Sequence, residues 1–157
     1  LPRHPRHGPR HDLSASEGAV MLGKLADRFI GTPYRHQGRT PGLGLDCAGV
    51  LVCALQSAGV EVEDCRTYNR VPPRNLLRDM VERHRFTKEN SPPIAGDVCL
   101  FWMRHERLVV HCGIVADNGE ELIHVEDGRL VERVPLRVWM PKLSATYSYN
   151  GRRTWPS

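Results

Sequence analysis

No stretch of the sequence approaches the roughly 20 uninterrupted apolar residues that a membrane-spanning helix needs, and its first residues lack the apolar core of a secretory signal. Because it begins with Leu1 rather than Met, localisation stays open. CxxC pairs are missing as well. Cys47, Cys53, Cys65, Cys99 and Cys112 are odd in number and scattered, which argues against a disulfide framework and against a zinc ribbon. An excess of one charge is nearly absent: the net charge is +4, and Arg3, Arg6 and Arg10 against Asp12 supply half of it. No Lys/Arg stripe is interleaved with aromatics, so nucleic acid is not an expected partner. What remains, 157 residues with 40% hydrophobic and 25% charged, is the composition of one globular domain rather than of a disordered or fibrous chain.

Three Pro-Arg-His units occupy residues 1–12, which read as an extended basic arm with almost nothing to bury. A domain is expected over 13–150, followed by a tail at 151–157 that contains Trp155. Ser14 and Glu17 have capping-box spacing, and Leu22, Leu25, Ala26 and Phe29 recur at helical intervals up to Gly31. Asp46 opens a second apolar run through Leu51, Ala54, Leu55 and Ala58, closed by Gly59. A third helix fits Asn75 to His84, with Leu77, Met80, Val81 and His84 on one face. Short β-prone runs follow: Asp97–Trp102, Leu108–Ala116, Glu121–Glu126 and Leu130–Val134, with Ala145–Tyr149 as a candidate last strand. Helices first and an antiparallel meander second describe an α+β domain.

Cys47 falls in the first turn of the second helix, where the helix dipole and unpaired N–H groups stabilise a thiolate. The competing reading is a small buried residue that packs the helix on the sheet. A nucleophilic thiol needs a base, and strand parity supplies one. If Asn118-Gly119 is a two-residue hairpin turn, His111 lies opposite Glu126 and Gly113 opposite His124. His111 and His124 then share a face as diagonal neighbours, with Gly113 leaving space between them. Such a set has the logic of a Cys nucleophile, a His base and a third group that fixes the imidazole. His124 is chosen for the third role, and Glu126 is its competitor.

Gly31-Thr32-Pro33-Tyr34, Asp46-Cys47-Ala48-Gly49, Gly96-Asp97-Val98-Cys99-Leu100-Phe101, His111-Cys112-Gly113-Ile114-Val115 and Ile123-His124-Val125 follow in order the motifs of the NlpC/p60-type cell-wall cysteine peptidases, which the chain resembles from Ser14 to Val134. The resemblance implies a papain-like α+β fold with helices packed on an antiparallel sheet. It also implies Cys47 as nucleophile, His111 as base, His124 as orienting residue, Tyr34 beside the oxyanion and Asp46 in substrate binding. Neither a metal nor a cofactor is implied. The implied substrate is the peptide stem of peptidoglycan, cut between D-glutamate and the following diamino acid. Two departures bear on substrate preference: Ala48 replaces the usual Ser after the nucleophile, and Gln37-Gly38 replaces paired glycines. The compact organisation looks most like the subgroup carried at the tail tips of bacteriophages and phage-like particles, which would place the chain in a virion tail acting on the host wall, with tail-tip proteins as partners. Two other readings stand beside this one: a vestigial tail-docking module, and a thiol amidase or acyltransferase on another substrate. The polar loop residues Arg35, His36, Gln37 and Arg39 suit an anionic muropeptide better than a lipid, and equally suit plain solvation.

Overall fold

A computed structural model describes residues 15–70, 73, 75–103 and 108–150. The basic arm, Ser14 of the expected capping box and the 151–157 tail lie outside the described residues. Helix α1 (Ala15–Asp27) buries Leu22, Leu25 and Ala26, and its end tightens as the N–H groups of Arg28 and Phe29 donate three residues back, to Leu25 and Ala26. Gly31, expected as the stop, closes this turn with φ of +90°. After two-residue strands β1 (Arg39–Thr40) and β2 (Gly44–Leu45) comes α2 (Cys47–Ser57). Residues 48–55 of α2 are all buried, so this helix is apolar around its whole circumference and runs through the middle of the molecule. Helix α3 (Leu76–Glu82) is shorter than the expected Asn75 to His84 and buries Leu77, Met80 and Val81 of the expected face, with His84 just beyond its end.

Strands β3 (Phe86–Glu89), β4 (Val98–Met103), β5 (Leu108–Val115), β6 (Glu121–His124), β7 (Glu132–Pro135) and β8 (Leu143–Tyr149) form one antiparallel sheet. Its order is β3-β8-β4-β5-β6-β7. The meander expectation therefore holds for β4 to β7 only, because β8 returns across the sheet to lie between β3 and β4. Between β7 and β8 the chain makes the four-residue helix α4 (Leu136–Trp139) and a 3-10 turn at Met140–Lys142.

Alternation along the strands builds two cores. Val98 and Leu100 of β4, Cys112 and Ile114 of β5 and Tyr147 of β8 face α1, α2 and α3. Cys99 and Phe101 of β4, Val115 of β5 and Leu122 of β6 face Leu136 and Trp139 of α4 on the other side.

The β5–β6 hairpin sets the register on which the site depends. Ile114 pairs Ile123 and Val115 pairs Leu122, the register expected from the sequence. The turn itself differs. The Ala116 N–H donates to the Glu121 carbonyl, and the Gly119 N–H donates to the Ala116 carbonyl, so Asp117–Glu120 form a four-residue loop. Asn118 keeps negative φ and its side chain accepts from the Glu120 and Glu121 N–H groups, which rules out the two-residue turn with both central φ positive. A loop longer by two residues preserves the parity that one extra residue would have reversed.

Candidate active site

Asp46 caps α2. Its backbone is extended (φ −100°, ψ −177°) and its carboxylate accepts the Gly49 N–H at 2.8 Å, which starts the helix at Cys47 and puts that thiol at the positive end of the helix dipole. The loop backbone presses close: a Cβ on Gly49 would lie 2.1 Å from the Gly38 carbonyl oxygen, so only glycine fits there. Tyr34 is held against Leu45, two residues before this start, by the Tyr34–Leu45 bridge, and its N–H donates to the Arg129 carbonyl. Burial first, then the charges of Asp46, Asp127 and Cys47, raise the Tyr34 hydroxyl above its usual range, which sets that side chain in the same electrostatic neighbourhood as the thiol.

His111 comes from β5, at a register shift where Phe101 pairs His111 and Trp102 pairs Val109. Val110 is thereby the extra residue of a bulge, the kind of local bend that re-aims an adjacent side chain. His111 Nε2 lies 2.9 Å from His124 Nδ1, and both rings are buried. The expected diagonal contact is present, but its space is not made by Gly113, since a Cβ there would meet Leu122 at 2.7 Å. Leu122 fills that position, and the two imidazoles meet beside it. Glu126 is half-buried, and its backbone carbonyl accepts from the Arg129 N–H.

Hydrogen bonding from the Cys112 thiol and, against the opposing effect of burial, from His111 lowers the Cys47 thiol to about 5. Cys112 moves the other way, well above the usual thiol range, through the same hydrogen bond and through burial. Its sulfur also reaches the Cys47 carbonyl oxygen at 3.3 Å. Burial, reinforced by the positive charges of His111 and Arg129, lowers His124 to about 3, so this ring is neutral at physiological pH. A thiol poised as thiolate, an imidazole beside it and a neutral imidazole behind that form a set able to attack a carbonyl and return a proton to a leaving group.

The structure changes the part expected of Asp46 and its loop. The Asp46 carboxylate accepts from the N–H groups of Gly49 and Gln37, from Arg39 Nη1 at 3.0 Å and from the Tyr68 hydroxyl. With its lone pairs engaged and 4% of the residue exposed, it is a fold-internal clasp rather than an open substrate contact. Arg39 likewise faces inward, paired with both Asp46 and Asp64. His36 Nε2 and Gln37 Nε2 lie against the Tyr68 carbonyl at 3.1 and 2.6 Å, which leaves Arg35 as the exposed member of the four loop residues. Gln37 takes the left-handed conformation (φ 58°) at a place where the resemblance leads one to expect glycine, and its two hydrogen bonds hold it there.

Sequence reasoning missed Tyr68, Cys112 and Trp139. Tyr68 lies in a stretch without periodicity, Cys112 read as one small buried residue among several, and Trp139 sits in a helix too short to show a pattern. Trp139 packs on both histidines, 5.0 Å from His111 and 4.7 Å from His124 between ring centroids. Among the described residues no cluster of three or more His, Cys, Asp or Glu is placed to hold a metal ion.

A cysteine on the N-terminus of a central helix, packed against an antiparallel sheet that brings up a pair of histidines, defines a papain-like α+β fold. The chain belongs to the NlpC/P60 family, whose model matches residues 31–148 and whose members are cysteine peptidases and peptidoglycan hydrolases. It is 29% identical over 101 residues to the gamma-DL-glutamyl hydrolase of Bacillus subtilis (strain 168), covering 64% of this chain and 22% of that protein. It is 28% identical over 113 residues to the murein DD-endopeptidase MepH of Escherichia coli (strain K12), covering 72% of this chain and 38% of that one. The chain thus spans well under half the length of these two curated relatives. Among solved structures, the NlpC/p60 domain of the peptidoglycan hydrolase SagA superposes with a TM-score of 0.57 at 24% identity, covering 83% of this chain and 97% of that one. An NlpC/P60 family protein from Bacillus cereus ATCC 10987 superposes with a TM-score of 0.63 at 20% identity, covering 88% and 43%.

Proposed function

We propose that this chain is a cysteine endopeptidase that cleaves the peptide stem of peptidoglycan, with Cys47 as nucleophile, His111 as base and acid, and His124 as the residue that orients His111. The observation that carries the reading is the 2.9 Å contact between His111 Nε2 and His124 Nδ1 beside a thiol lowered to about 5. The Cys47 thiolate attacks the amide carbonyl carbon. Backbone N–H groups of the first turn of α2, with Tyr34, receive the oxyanion. The imidazolium of His111 gives its proton to the departing amine, and a water, deprotonated by the same ring, then hydrolyses the thioester. His124 stays neutral throughout, so it fixes the ring of His111 without placing a full negative charge beside the thiolate.

The bond we propose is the one between D-glutamate and the following diamino acid. The name of the Bacillus subtilis relative, a gamma-DL-glutamyl hydrolase, supports this choice. A D,D cross-link, as in the name of the Escherichia coli relative, is the competing bond. The setting we propose is the tail tip of a phage or phage-like particle, the subgroup that the sequence is read as resembling. Purified sacculi incubated with the protein, followed by mass spectrometry of the soluble fragments, test the reaction. Fragments ending in D-glutamate support the reading, and uncut sacculi that retain bound protein would favour a docking module instead. Immunogold labelling of purified particles tests the setting, and unlabelled tails would remove it.

A further inference from the structure

We propose that Trp139 is the positioning residue that completes the Cys47, His111 and His124 set, its indole doing for His124 what a hydrogen-bonding partner does for the last member of a catalytic triad. The inference rests on the thiol-imidazole reading of the site, though not on the identity of the substrate. It starts from an orphan. His124 Nδ1 is engaged with His111, but His124 Nε2 is buried and, among the described residues, meets no hydrogen-bonding atom. The ring would be free to rotate about its Cβ–Cγ bond unless packing prevented it. Trp139 meets it edge to face, at 4.7 Å and 72°, the geometry in which the positive edge of one ring meets the negative face of another.

Proton positions follow from the same contacts. With Nε2 of His111 facing His124, an imidazolium at His111 donates that N–H to Nδ1 of His124. The single proton of a neutral His124 must then sit on Nε2, the atom with no oxygen or nitrogen to receive it. In this proposal the indole of Trp139, packed edge to face on the ring, receives that N–H on its π face and makes the burial tolerable. Trp139 also lies over His111 itself, tilted 31° at 5.0 Å, and Phe101 flanks the same ring at 6.1 Å. The cationic form of His111 therefore has aromatic rings packed against it, while His124 stands where a carboxylate would stand in a Cys-His-Asp set. The charged and titratable groups around it are Cys47 from α2 with Asp46 behind it, Cys112 and His124 from the sheet, Arg129 from the loop after β6, and Lys142, whose ammonium lies 4.9 Å from the Trp139 ring.

Two measurements test this without any peptidoglycan substrate. In the first, Cys47 alkylation by iodoacetamide is followed against pH in the wild type, Trp139→Phe and Trp139→Leu, with circular dichroism to confirm folding. We expect Trp139→Leu to slow alkylation at neutral pH by about tenfold, with the rise in rate moved to higher pH, and Trp139→Phe, which keeps a π face, to stay within about threefold of wild type. Equal rates in the wild type and Trp139→Leu overturn the proposal, as does a Phe variant as slow as the Leu variant. The second, nitrogen-15 NMR of the wild-type histidines, holds even if the Leu variant fails to fold. A neutral His124 protonated on Nε2, with that proton shifted upfield by the indole ring current, is expected, and protonation on Nδ1 overturns the proposal. A wild-type Cys47 that alkylates no faster than a free thiol below pH 7 would instead refute the thiol-imidazole reading itself.

Discussion

At the scale of single residues, the site is a set of environments acting on ordinary side chains. The Cys47 thiol is lowered to about 5, so its reactive form appears as pH rises through that value. Iodoacetamide should therefore label Cys47 first among the five thiols, at a rate that climbs through about pH 5 and is already near its plateau at neutral pH. Cys53, Cys99 and Cys112 are buried and should lag. Labelling led by Cys65 would remove Cys47 as the nucleophile. Cys47→Ala should abolish hydrolysis of sacculi with little loss of stability, because it deletes a single sulfur. The choice between His124 and Glu126 is tested in the same assay. His124 touches His111 at 2.9 Å whereas Glu126 is half-buried further along the chain, so His124→Ala should lower turnover by about a hundredfold or more and Glu126→Gln by less than about threefold. The reverse order would transfer the orienting role to Glu126.

At the scale of elements, the start of α2 is where the fold and the chemistry are joined. Asp46 caps the helix that carries Cys47 and also binds Arg39 and Tyr68, so one carboxylate ties the loop before the helix to the segment after it. Asp46→Ala removes the cap and leaves the Arg39 guanidinium, 8% exposed as a side chain, without one of its two carboxylates. Together these should cost about 3 kcal/mol or more, read as a lowered urea midpoint. An unchanged midpoint would mean that the clasp contributes nothing to stability. How this region appears in the sequence marks the limit of local reasoning. Helices α1, α2 and α3, the strands β4 to β7 and the hairpin register could be read because period and turn residues are local. Helix α4 has four residues, too few for a helical period, and β3 is an edge strand whose Phe86-Thr87-Lys88-Glu89 sequence carries no apolar alternation. The Arg39, Asp46 and Tyr68 clasp and the packing of Trp139 on the histidines join residues far apart in sequence, and a single sequence carries no mark of them.

At the scale of the whole molecule, the sheet separates two cores and the site lies where they meet. Cys47 packs against the core on the helix side, while His111 and His124 stack on Trp139 from the α4 side. Residue parity along β5 and β6 brought the two histidines within view of sequence reasoning, but the return of β8 did not, since strand order depends on connections rather than on patterns within a strand. This placement couples the site to global stability through His124. Burial, with the charges of His111 and Arg129 in support, lowers its pKa from the ordinary 6.5 to about 3. Between those two values the unfolded chain binds a proton at this ring and the folded chain does not. Stability from this group is therefore complete above about pH 6.5 and is lost progressively as pH falls toward 3. Over that interval the slope approaches about 1.4 kcal/mol per pH unit for the one proton involved. Urea unfolding of the wild type at a series of pH values should show this slope, on top of whatever the carboxylates contribute. His124→Phe, which keeps an aromatic ring against Trp139 and cannot be protonated, should be shallower by most of that amount between pH 6 and 4. If the two profiles run parallel, His124 already carries its proton in the folded state, and the neutral orienting imidazole has to be replaced by a charged one.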